Sequence, residues 1–162
     1  MNHFIDIQHA TTTPIPISDE TIINWVRLAL PSTQQNAELT LRLVDPHEMI
    51  TLNHTYRKQN KPTNVLAFPF DLPKGVTLDN PFLGDVVICP AVLADEHLAL
   101  HIPLVAHWAH IVVHGVLHLL GFDHQGIEDT RDMQALEINA LKSLGFPNPY
   151  TIIEDESGEQ ET

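Results

Sequence analysis

The segment LVAHWAHIVVHGVLHLLGFDH, residues 104 to 124, constrains this chain more than any other stretch. Val105, Trp108, Ile111, Val112, Val113, Val116, Leu117, Leu119 and Leu120 leave almost no polar side, so the spacing predicts a helix over 104–120 buried at the centre of the fold. Such a segment needs a reason to carry histidines, because a buried imidazole without a partner costs free energy. His114 and His118 lie four apart, which on a helix raises both side chains from one face with Cβ atoms ~5–6 Å from each other. Gly121 then lets the helix stop and the chain turn back, bringing His124 toward the same point. Three neutral nitrogens on one hemisphere with a fourth position open describe a metal held for chemistry, and no neighbouring cysteine closes the set into a structural site. Imidazole ligands suit zinc, one ion per chain; nickel, copper and iron accept the same ligand type.

The surrounding polar residues divide by distance. His110 continues the stripe, but a rise of 1.5 Å per residue puts it ~12 Å along the axis from His118, too far to share one ion. It is a candidate catalytic or supporting group. His107 falls on a neighbouring face and reads as structural. Asp123, beside a ligand, is a candidate to hold a histidine N–H or to accept a proton. The pattern H-x-x-x-H-x-x-G-x-x-H is also that of metzincin proteases, which place glutamate after the first histidine as general base. Here that position is Gly115. A peptidase without that base forgoes a contribution of ~10²–10⁴-fold.

The rest of the chain must enclose the central helix. Ser18 before Asp19 and Glu20 opens a helix with Ile22, Ile23, Val26 and Ala29 at helical spacing, closed by Pro31. ELTLRLV (38–44) alternates as a half-buried strand, and DPHE (45–48) supplies an aspartate cap, proline at the first helical position and glutamate at the third for a helix to about Tyr56. NVLAFPF (64–70) and LGDVVIC (83–89) read as strands, with Pro69 pushing the first toward a sheet edge. Helices follow at 90–100, at 104–120 and near 128–144, the last with Met133, Leu136, Ala140, Leu141 and Leu144 on one stripe. Helix, strand, helix, two strands and three helices predict an α+β domain with a small mixed sheet. A chain of 162 residues makes one such domain, read here as residues 1–150 followed by an acidic, disordered tail at 151–162.

Charge bears on the partner. The formal net charge of −13 argues against nucleic acid as a partner, but it is unevenly spread. The last nine residues hold five acids, whereas three of the eight cationic side chains (Arg57, Lys58 and Lys61) fall within YRKQNKP. Over a Debye length of ~8–10 Å such a patch acts independently of a distant tail. No secretion signal and no run of ~18 apolar residues is present, and the single cysteine, Cys89, reads as a small core residue; the expectation is a cytoplasmic protein with no membrane partner.

Taken together, HGVLHLLGFDH, TYRKQNKPTNVLAFPF (55–70), LGDVVIC (83–89), HWAHIVVHG (107–115) and LGFPNPY (144–150) closely resemble segments of the YbeY family of bacterial metallo-endoribonucleases, in family order. The resemblance covers about three quarters of the chain, leaving the first ~35 residues and the tail undiagnostic. It implies zinc on His114, His118 and His124, an arginine important for activity at Arg57, and cleavage of single-stranded RNA. It also implies maturation of the small-subunit rRNA 3′ end and ribosome quality control, with the ribosome and its assembly factors as partners. Zinc and a fork-shaped guanidinium suit the charge that a phosphodiester gains as it reacts, and Lys58 and Lys61 beside Arg57 are candidate RNA contacts. Attack by water would give linear ends and attack by the 2′-hydroxyl a cyclic phosphate; both routes stay open. Two other readings remain: a ribosome-assembly binding protein braced by zinc, and a metallohydrolase of another substrate such as peptide.

Overall fold

The computed structural model describes residues 2–32, 34–70, 82–122 and 127–150. Four strands form one sheet in the order β1-β2-β4-β3. They are β1 (Asn2–Ala10), β2 (Asn36–Val44), β3 (Val65–Pro69) and β4 (Phe82–Ile88). The pairs β1·β2 and β2·β4 are parallel and β3·β4 is antiparallel, so the sheet is mixed as expected. The described residues also form five helices: α1 (Asp19–Ala29), α2 (Pro46–Arg57), α3 (Pro90–Leu100), α4 (Leu104–Leu119) and α5 (Ile127–Ser143). No helix among the described residues is long and apolar enough to cross a membrane.

The pleat sorts side chains onto two faces. Leu39, Leu41 and Leu43 of β2, Val65 of β3 and Val86 and Ile88 of β4 join Ile22 and Val26 of α1 and Trp108, Ile111, Val112 and Val116 of α4 in the main core. The alternate residues Val44, Leu66 and Val87 pack with Met49 of α2 in a smaller cluster on the other side. Helix α4 touches α1, α3, α5, β3 and β4, which is the central position its apolar circumference demands.

Three local expectations need correction. The sequence pattern gives no strand at 2–10, yet this segment pairs with β2 along its whole length, from Asn2 opposite Asn36 to Ala10 opposite Val44. Asp45 stands at the N-cap of α2, but its carboxylate makes no bond to that helix; it accepts from Thr11 Oγ1 at 2.6 Å and from the Thr12 N–H at 2.9 Å. Those bonds hold its pKa below the usual carboxylate range. Leu136 belongs to the helical stripe of α5 but is 42% exposed, lining an apolar groove with Leu28 and Phe122. The tail read as 151–162 lies outside the described residues, as do Asp123 and His124.

Candidate metal centre

From His107 to Leu119 of α4 every residue is buried except His110, His114 and His118, which are half-buried and spaced by four. The sequence of this helix thus resolves into one polar stripe on an apolar rod. Between the histidines, Gly115 faces the sheet: a Cβ there would lie 2.7 Å from Val86 Cγ1 and 3.2 Å from Val65 Cγ2. The missing glutamate of the protease pattern therefore has a geometric cause. Position 115 is where the helix backbone seats against β3 and β4, so no side chain there could reach a substrate.

Glu137 of α5 organises the inner end of the stripe. Its side chain is fully buried, and it accepts from His114 Nδ1–H at 2.5 Å through Oε1 and from His110 Nε2–H at 3.1 Å through Oε2. The Tyr150 hydroxyl donates to the same Oε2. Burial alone would push this carboxyl up, but the hydrogen bonds and charge of His110 and His114 prevail and hold it at about 2. Burial and the Glu137 carboxylate in turn raise the Tyr150 hydroxyl, which stays protonated as a donor. Because an ionised carboxylate only accepts, the neutral form of His114 that could bind a metal would keep its proton on Nδ1 and turn the lone pair of Nε2 outward.

That lone pair meets His118. The two Nε2 atoms are 3.1 Å apart, close to the ~3.3 Å that separates two nitrogens sharing one tetrahedral ion at 2.0–2.1 Å. Helical spacing has aimed two imidazoles at one point, and the donors suit a transition metal. On the inner side, His110, His114 and Glu137 form a second group, with ligand atoms all within 4.8 Å of one another, which could also hold a metal ion. His114 belongs to both sets, one through each ring nitrogen.

The outer set opens into a cavity of about 540 Å³ lined by His114, His118, Tyr56, Arg57 and residues 63–68. Arg57, the last residue of α2, therefore shares a chamber with two of the expected metal ligands, although 57 residues of sequence separate it from His114. Lys58 and Lys61 are exposed just beyond it and do not line the cavity. Lys58 ends α2 in the left-handed conformation at φ 58°, and Asn53 Nδ2 donates to the Lys61 carbonyl at 2.8 Å, tying down the turn that carries both lysines. His107 is buried against Glu96 at 2.9 Å, the structural role expected of it, and Cys89 is buried with its thiol pKa raised by desolvation.

Sequence reading missed Glu137, Tyr150 and Tyr56. Glu137 lies on a stretch whose acids all look solvated, and only its spacing of four from Met133 and Leu141 and of three from Ala140 hinted at an inward face. Tyr150 sits inside the LGFPNPY segment without an obvious charge partner nearby in sequence.

The family model described as Endoribonuclease YbeY matches residues 6–145. A Legionella pneumophila (strain Corby) protein named Endoribonuclease YbeY is 54% identical over 156 residues, covering 96% of this chain and 99% of that protein. An Alcanivorax borkumensis protein of the same name is 46% identical over 159 residues, covering 96% and 91%. The solution structure of a Thermotoga maritima protein matches in fold with a TM-score of 0.53 at 20% identity, over 96% of this chain and 95% of that one.

Proposed function

This chain belongs to the Endoribonuclease YbeY family, and on that premise we propose that it is a zinc-dependent, single-strand-specific endoribonuclease acting in the cytoplasm on ribosomal RNA. The observation that carries this reading is the shared chamber: two converging Nε2 atoms and a guanidinium in one cavity. Its RNA is the small-subunit rRNA near its 3′ end, and docking on the ribosome and its assembly factors offsets the repulsion expected from a net charge of −13. The same docking would place it to act in ribosome quality control.

His114 and His118 would hold the ion together with His124, which lies outside the described residues. When bound, zinc would supply Lewis-acid stabilisation of a phosphoryl oxygen as negative charge develops there. The protein's own residues do the rest. Arg57 presents a fork of N–H donors to the phosphate from the lining of the same cavity, on an arginine that stays charged throughout. Glu137 keeps the His114 proton on Nδ1 and so keeps Nε2 a ligand. His110 donates to the same carboxylate and acts as support for it. Asp123 remains a candidate proton acceptor from its place next to His124, and Lys58 and Lys61 draw the strand toward the cavity mouth. The inner His110–His114–Glu137 group is better suited to orienting than to holding catalytic metal, because Glu137 is sealed from solvent and already accepts three hydrogen bonds.

The test is cleavage of an unstructured RNA by His114→Ala and Arg57→Ala beside the wild type, with melting temperature and bound metal measured on each. His114→Ala should lose metal and cleavage. Arg57→Ala, at an exposed position, should keep fold and metal and lose cleavage by ~10²-fold or more. Undiminished cleavage by Arg57→Ala, or wild type that cuts peptide and not RNA, would overturn the reading.

A further inference from the structure

We infer that the free edge of β3 and the exposed ring of Tyr56 together form a nucleobase site beside the histidine pair, taking an unpaired base of an RNA strand. The identity of the polymer rests on the nuclease reading above; the site itself rests on backbone geometry. Among the described residues, strand β3 is at the edge of the sheet and bonds only to β4. The Cys89 N–H donates to the Asn64 carbonyl at 3.0 Å and the Phe70 N–H to the Leu83 carbonyl at 2.9 Å, so the even-numbered residues of this segment turn their backbone groups inward. Antiparallel alternation then turns the N–H and C=O of Val65 and Ala67 outward, and both residues line the cavity that holds His114 and His118. Pro69 occupies the next outward position, where it has no N–H to offer and ends the strand. Among the described residues, an edge normally guarded against pairing is thus left open at two residues, both lining the chamber.

Tyr56 supplies what the edge lacks. It is 63% exposed, lines the same cavity, and rests on Phe68 with centroids 4.8 Å apart at 60°. An aromatic this exposed next to an arginine is a stacking surface, since every base has a π face and the contact tolerates any sequence. A base also carries donors and acceptors along its edge that a strand's outward N–H and C=O can meet, but only when the base is not already paired. A preference for single strands would then arise here, at the base, and not at the metal. An extended peptide could also add to the edge of β3. The cationic run Arg57, Lys58 and Lys61 at the end of α2 favours a polyanion, and peptide backbone gains nothing from it.

The experiment uses the full chain freed of metal with a chelator, so that binding is read without cleavage. Fluorescence anisotropy follows a short labelled single-stranded RNA and an abasic ribose-phosphate strand of the same length, with melting temperature as the control on folding. Wild type should prefer the base-bearing strand by about 10-fold, Tyr56→Ala should lose that preference, and Tyr56→Phe should keep it. Ala67→Pro, which removes an outward N–H and no bond to β4, should weaken the same preference in a folded protein. Equal affinity of wild type for the two strands, a full preference in Tyr56→Ala, or displacement of the RNA by an extended neutral peptide would each overturn the inference. Cleavage is scored separately on metal-loaded protein. A chain that shows the base preference and cuts nothing keeps this site and loses the nuclease reading.

Discussion

Glu137 and His114 are separated by 23 positions in sequence and by 2.5 Å in the folded chain, and that contact decides which nitrogen of His114 faces the cavity. Substituting Glu137→Gln keeps the shape but exchanges a charged acceptor for a neutral amide with one acceptor oxygen, so His110 and His114 can no longer both donate to ionised oxygens. Metal affinity should fall 10–100-fold, the usual cost of losing a carboxylate behind a ligating histidine, and titration against a competing chelator measures it. Unchanged affinity would show that the His114 tautomer is fixed elsewhere. The histidines themselves were legible because helical spacing alone brings His114 and His118 together. Glu137 was not, because its role depends on how α5 packs across α4, which no local pattern encodes.

Helix α4 seats on the sheet through Gly115, and two energies of opposite sign meet there. Alanine in place of glycine favours the helix by ~1 kcal/mol through backbone entropy. A Cβ 2.7 Å from Val86 Cγ1 and 3.2 Å from Val65 Cγ2 overpacks a site walled by stiff β-branched side chains, which costs about 1–3 kcal/mol. Crowding should prevail, so Gly115→Ala should melt below wild type by a few degrees, and Gly115→Glu should disrupt the domain without creating peptidase activity. A Gly115→Ala protein more stable than wild type would mean that α4 sits farther from the sheet. The elements with strong periodicity, α1, β2, α4 and α5, were readable from sequence. Strand β1 was missed because, paired among the described residues with β2 alone, it leaves Phe4 64% exposed, and His3, Asp6, Gln8 and His9 interrupt its apolar run. Asp45 misled in another way: aspartate before proline reads as a cap, and only the fold brings Thr11 and Thr12 within reach of its carboxylate.

At the scale of the whole molecule two electrostatic fields compete for RNA, and the sign of the salt dependence separates them. A net charge of −13 repels a polyanion, and added salt screens that repulsion, so binding governed by total charge would strengthen as salt rises. Binding governed by Arg57, Lys58 and Lys61 releases counterions from the RNA and weakens with salt, by ~0.7 logarithmic units per decade for each phosphate neutralised on a single strand. Three such contacts give a slope of about −2 in log K against log salt. Anisotropy measured from low to physiological salt should return a negative slope of about that size, and Lys58→Ala should flatten it by ~0.7. The tail at 154–162 carries five of the acids, so a chain ending at residue 150 should bind RNA more tightly at low salt yet keep the same slope. A flat or rising dependence in the full chain would place the RNA away from the end of α2, and would leave Arg57 in the cavity without a strand to contact.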